Sequence, residues 1–144
     1  MEVKQSTKIN GLGLFAIQQY RKSDIIFVLK GEETNYPTRE SIYVGNNKHI
    51  LDQMGQFINH SFEPTTQIIG YDVVALVDVN NGDEITFNYN DSEVTMAAPF
   101  TVDGQEVCGN VNNDYKSNPK YFFIPASRPS ILKPNFANWS PLPQ

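Results

Sequence analysis

The side chains able to do chemistry sit at few places in this chain. His60 lies in Asn59-His60-Ser61, an amide, an imidazole and a hydroxyl in succession. Tyr89 ends Gly82-Asp83-Glu84-Ile85-Thr86-Phe87-Asn88-Tyr89, and Gly11-Leu12-Gly13-Leu14 sets two glycines one residue apart. Each has an ordinary reading by itself. Asn59 and Ser61 are good turn formers, and His60 can be a hydrogen-bonded histidine with no further role. Glycine accepts tight backbone angles freely, so a Gly-x-Gly before an apolar run suits any sharp turn. One Cys and two distant His cannot supply the four ligands of a local tetrahedral zinc site, so no metal is expected. No Gly-x-Ser-x-Gly elbow and no Gly-x-x-x-x-Gly-Lys phosphate loop occurs, which removes two large enzyme classes.

The elements that must position these residues are short. Leu14-Phe15-Ala16-Ile17 and Ile25-Ile26-Phe27-Val28-Leu29 read as strands between polar turns. Tyr36-Pro37-Thr38 and Gly45-Asn46-Asn47 read as turns around a short strand near Ser41-Ile42-Tyr43-Val44, and His49 to Ile58 is expected to hold one or two helical turns. Asn81-Gly82 separates Val73-Val74-Ala75-Leu76-Val77 from the alternating Ile85, Phe87 and Tyr89. That pattern predicts a hairpin with a type I′ turn, with Tyr89 closing its second strand and facing inward. From Ser92 onward Pro and Asn are frequent and argue against long regular elements.

Composition fits one β-rich domain. The chain has 144 residues, 40% of them hydrophobic, with seven Tyr and nine Phe; this is enough to bury a core, and aromatics pack well in strands. The single Cys108 excludes an internal disulfide, and no signal-like apolar start or membrane-length apolar run is present. A cytoplasmic setting is expected, or a nuclear one in a eukaryotic host, and the Asn-x-Ser triplets are read as chance matches. Net charge is -5, and no Lys or Arg lies between Lys48 and Lys116. Such an acidic stretch repels nucleic acid and draws a Lys-rich peptide; scattered solvated carboxylates remain the plain alternative.

Together and in order, the three motifs resemble the signature of SET-domain protein lysine methyltransferases. Gly11-Leu12-Gly13-Leu14-Phe15-Ala16 is similar to the family's Gly-x-Gly turn, whose backbone lies against the methionine part of S-adenosylmethionine. Phe57-Ile58-Asn59-His60-Ser61-Phe62-Glu63-Pro64-Thr65 resembles Asn-His-Ser-Cys-x-Pro-Asn, which binds the adenosine part. Gly82 to Tyr89 resembles Gly-Glu-Glu-Leu-Thr-Phe-Asp-Tyr, the segment that supplies the family's catalytic tyrosine.

The resemblance implies a mainly β SET fold, a β-clip of small sheets with a C-terminal pseudoknot and little helix. It implies Leu12, Gly13, Leu14, Asn59, His60 and Tyr89 at the cofactor, Tyr89 as catalytic residue, and Phe87 and Phe100 along a substrate channel. A Phe at Phe87 implies room for a second or third methyl group. The partner implied is a Lys-containing, basic protein or peptide, with no direct nucleic acid or membrane.

The core is expected over 1-92. A post-SET-like segment and Pro-rich arm then cover 93-144, with a docking arm on a second subunit, and so a homodimer, left open. Only Cys108 survives of the zinc-binding cysteines of many post-SET segments. Phe62 stands where Cys is usual and Thr65 where the final Asn is usual. A catalytically silent binding module, or a scaffold, is the competing reading, since fold alone does not establish turnover.

Overall fold

Apolar residues come in short β-branched runs cut by Gly, Asn and Pro, and short strands result. The computed structural model describes residues 1–113, which fall in the compact unit Met1–Asp114. The stretch from Ile124 to Gln144, proposed as a docking arm, lies outside the described residues.

Four strands form the sheet that carries the motifs: β1 (Glu2–Gln5), β2 (Leu12–Phe15), β7 (Asn59–His60) and β10 (Glu84–Phe87), in the order β1-β2-β10-β7. A second sheet runs β3 (Ile25–Val28), β9 (Asp72–Ala75), β8 (Thr66–Ile69), and a third runs β4 (Glu32–Thr34), β6 (Lys48–Leu51), β5 (Ile42–Gly45). The hairpin of β11 (Phe100–Val102) and β12 (Gln105–Val107) follows. Among the described residues, helix is limited to 3-10 turns at Gly55–Phe57 and 111–113 and the single turn α1 (Tyr89–Ser92).

Leu14, Ile58, Ile85 and Phe87 pack in one core with Leu29, Ile50 and Val73. All four residues of β10 are buried, as befits a strand with neighbours on both edges and cover on both faces. The expected mainly β fold of small sheets with little helix is therefore present.

Two local expectations are corrected, and a third is met in part of its range. Residues 73–77 and 85–89 do not form a hairpin: β9 has β3 and β8 on its two edges, so β10 pairs instead with β2 and β7. Only Gly82 of the turn takes positive φ, at 94°, with the Asp83 amide donating to the Asn80 carbonyl at 3.0 Å. The type I′ pattern sits instead at Asn46-Asn47, φ 53° and 58°, between β5 and β6.

Second, Tyr89 does not end a strand. Asn88 accepts a hydrogen bond from the Asn90 amide and caps α1, so the chain turns helical at Tyr89. Third, His49 to Ile58 holds one helical turn, as expected, but begins as strand β6. Only Gly55–Phe57 turns, held by Asp52, whose Oδ1 accepts from the Met54 and Gly55 amides at 2.7 Å each.

Candidate active site

Three motifs far apart in sequence meet across β10. On one edge Ile85 pairs antiparallel with Leu14; on the other Thr86 and Phe87 pair in parallel with Asn59 and His60. A parallel pair needs a long crossover rather than a tight turn, and here the β8–β9 hairpin lies within it. Hydroxyls staple the crossing. Thr65 Oγ1 donates to the Glu84 carbonyl at 2.9 Å and accepts from the Thr86 amide at 3.0 Å, while Thr66 Oγ1 donates to the Thr86 carbonyl at 2.7 Å. Thr65, which departs from the family pattern, thus bridges β10 as a backbone neighbour would.

Asn59 is held by two acceptors. Its Nδ2 donates to the Leu12 carbonyl at 3.0 Å and to Glu84 Oε2 at 2.8 Å. Both neighbours accept only, which fixes the amide orientation and leaves Oδ1 with no partner among the described residues. Gly13 lies against this contact: a Cβ there would meet Glu84 Oε2 at 2.5 Å and Asn59 Nδ2 at 3.0 Å, so any larger residue must displace those two side chains from each other. Leu12 is half exposed, whereas Leu14 is 0% exposed and its side chain belongs to the core. Leu14 therefore has only backbone to offer a ligand.

His60 accepts from the Tyr89 amide at Nδ1, 3.1 Å away, so the ring is neutral with its proton on Nε2. Nε2 is buried without a partner among the described residues. Burial pushes the imidazole pKa down to about 4. Aromatic rings enclose it: Phe62 at 4.4 Å, Tyr89 at 5.3 Å and Phe100 at 5.9 Å between centroids, all edge-on.

Tyr89 donates its hydroxyl proton to the Ile58 carbonyl at 2.6 Å. Burial first, then the Glu93 and Glu84 carboxylates, raise its pKa well above the usual phenol value. The phenol stays protonated at neutral pH and cannot serve there as a proton-removing base. Its proton is committed inward, which leaves the oxygen lone pairs as acceptors.

Phe87 lies 4.6 Å from Tyr89 between ring centroids, yet is 3% exposed, so it supports that ring from beneath. Phe100 is 39% exposed and 6.1 Å from Tyr89, at the rim. Asn90 ties the β11–β12 hairpin to α1: its Oδ1 accepts from the Cys108 and Gly109 amides, and its Nδ2 donates to the Glu106 carbonyl. Every residue expected at the site is thus in this region. Phe62, noted in the sequence as standing where Cys is usual, is there too; so are Glu84 and Ser6, which the sequence did not single out. Of those two, only Glu84 carried a signal, as a carboxylate heading the uncharged run Ile85-Thr86-Phe87.

A family model described as "SET domain" matches residues 11–90. The chain belongs to the SET-domain family. A search of the curated proteins finds no match. Among solved structures, the SET-domain chain is similar to Polycomb Repressive Complex 2 of Chaetomium thermophilum bound to S-adenosylmethionine, with 17% identity, TM-score 0.51, 62% of this chain and 15% of that chain covered. A humanized mutant of that complex bound to the inhibitor GSK126 gives 16% identity, TM-score 0.50, and 62% and 14% coverage. These likenesses support the fold. A histone methyltransferase candidate from Plasmodium falciparum matches at 23% identity and TM-score 0.48, over 61% of this chain and 94% of its own. Among the described residues no helix is long and apolar enough to cross a membrane, and no group of three His, Cys, Asp or Glu is placed to hold a metal ion.

Proposed function

We propose that the chain is a protein-lysine N-methyltransferase that uses S-adenosylmethionine, with Leu12, Gly13, Asn59 and His60 at the cofactor and Tyr89 at the reacting amine. The observation that carries this reading is the β7–β10 crossing, which pairs Asn59 and His60 with Thr86 and Phe87 and brings the His60 ring to 5.3 Å from Tyr89, whose hydroxyl proton is donated to Ile58.

The free polar atoms fit such a ligand. Asn59 Oδ1 is an open acceptor suited to an amino group, and His60 Nε2 is a buried donor suited to an acceptor atom. When bound, S-adenosylmethionine supplies a methyl group on a positively charged sulfur, open to direct displacement by a neutral amine.

The chain's own residues provide alignment and a dry site. Tyr89 offers its oxygen lone pairs to polarised C–H and N–H groups, and alignment of this kind is worth of order 7 kcal/mol or more in the best intramolecular models. Because Tyr89 keeps its proton, the lysine must arrive or become neutral without it. The surrounding rings of Phe62, Phe87 and Phe100 disfavour the charged ammonium and help that loss. A basic peptide is the substrate class that suits the cation-free stretch between Lys48 and Lys116.

The test is calorimetric titration of S-adenosylmethionine into wild type and Asn59→Ala, beside a methyl-transfer assay on Lys-rich proteins. Weakened binding in the variant, with turnover lost in Tyr89→Phe, is expected. Binding without turnover would favour the silent module, and absence of binding would refute the proposal.

A further inference from the structure

Glu84 is a buried carboxylate whose partners are neutral. It is 8% exposed at the head of β10. Oε1 accepts from Ser6 Oγ at 2.9 Å and Oε2 from Asn59 Nδ2 at 2.8 Å. Neither donor is a cation, and Glu84 forms no ion pair among the described residues. Burying a charge is costly unless it is paired, so an unpaired one kept in a core strand calls for a reason. Hydrogen bonding at both oxygens offsets part of that cost.

Its position supplies the reason. The carboxylate fills the space that a side chain at residue 13 would take, behind the Gly-x-Gly backbone, and it grips Asn59 on the same side. Its field also reaches the Tyr89 hydroxyl, where it helps keep the phenol protonated. A fixed negative charge thus stands behind both the residues assigned to the cofactor and the residue assigned to the reacting amine. Ser6 steadies the arrangement from the other side, since its Oγ also accepts from the Lys8 and Ile9 amides and shapes the turn into β2.

We infer that Glu84 is a specificity-determining positioning residue that favours a cationic sulfonium ligand over its neutral thioether counterpart. The inference rests on the cofactor reading above. During transfer the methyl carbon leaves sulfur for nitrogen, and the C–S electron pair stays on sulfur. The ligand then loses its positive charge, and with it the attraction to Glu84. Spent ligand is therefore held less firmly than fresh ligand, which favours exchange.

Calorimetry on the full chain tests this with S-adenosylmethionine and S-adenosylhomocysteine, each titrated into wild type and Glu84→Gln. Gln keeps the shape: its Oε1 can still accept from Asn59 Nδ2 while its Nε2 turns to Ser6 and donates to Oγ, so the charge is removed and the Ser6 bond reverses direction. The expected result is an about tenfold fall in the preference for the sulfonium, with thioether affinity nearly unchanged. An equal loss for both ligands, or an unchanged preference, would make Glu84 a structural strut and overturn the inference.

Thioether binding that is weakened by Asn59→Ala leaves the cofactor reading standing whatever the preference. Binding of neither ligand removes both. Should Glu84→Gln not fold, wild type decides: equal or tighter binding of the thioether at low salt overturns the inference, and tighter binding of the sulfonium supports it.

Discussion

Thr65→Val removes one hydroxyl at nearly constant volume and isolates what holds the crossing together. That hydroxyl serves two backbone groups of β10, the Glu84 carbonyl at 2.9 Å and the Thr86 amide at 3.0 Å. Valine leaves both without their partner. Each stranded group costs about 1–3 kcal/mol when buried. Thr65 is half-buried and water can reach part of the site, so the two together are expected to cost about 2–4 kcal/mol at the lower part of that range.

Against a typical stability of about 5–15 kcal/mol this is a large fraction, and it corresponds to a fall in Tm of roughly 10–15 °C for a domain of this size. Urea unfolding followed by far-UV circular dichroism measures it. Thr65→Ser, which keeps the hydroxyl and drops only a methyl group, should lose no more than about 1 kcal/mol. A valine variant within about 0.5 kcal/mol of wild type, or a serine variant as unstable as the valine one, would refute the bridging role.

Acid should destabilise the fold through His60. Its folded pKa of about 4 lies below the ordinary 6.5, so between those values the unfolded chain holds a proton that the folded chain does not. Stability is then present in full above about pH 6.5 and is lost as pH falls toward about 4. After discounting for partial exposure the loss is about 1–2 kcal/mol. His49, also lowered by burial, adds in the same direction. Urea unfolding at pH 7 and pH 4.5 reads this out, and the difference should shrink in His60→Asn; an unchanged difference would place the effect elsewhere. Gly13→Ala drives a methyl group to 2.5 Å from Glu84 Oε2. It should cost about 1–3 kcal/mol in the same assay and weaken S-adenosylmethionine binding by calorimetry.

The motifs were legible because each is local. Glycine at 13, the polar tripeptide at 59–61 and the aromatic alternation at 85–89 are types and spacings that a linear reading can see. Short strands were legible for the same reason, since β-branched runs between turn residues announce themselves. Errors came where a local signal had two tertiary outcomes. Asn81-Gly82 asks for a turn and gets one, but which strands pair across it depends on the free edges of β9, and both are taken by β3 and β8. Tyr89 continues the alternation of β10 in sequence, yet Asn88 caps a helix there.

Sequence by itself thus determined a β-rich fold of short strands, the three motifs and their family, because periodicity, turn chemistry and residue type need no neighbours in space. Tertiary structure alone decided the parallel crossing of β7 on β10, the bridging by Thr65, the neutral tautomer of His60 and the lone carboxylate of Glu84 behind Gly13. These rest on contacts between residues far apart along the chain. A hydrogen-bond partner or a buried charge acquires its meaning only when such contacts are made.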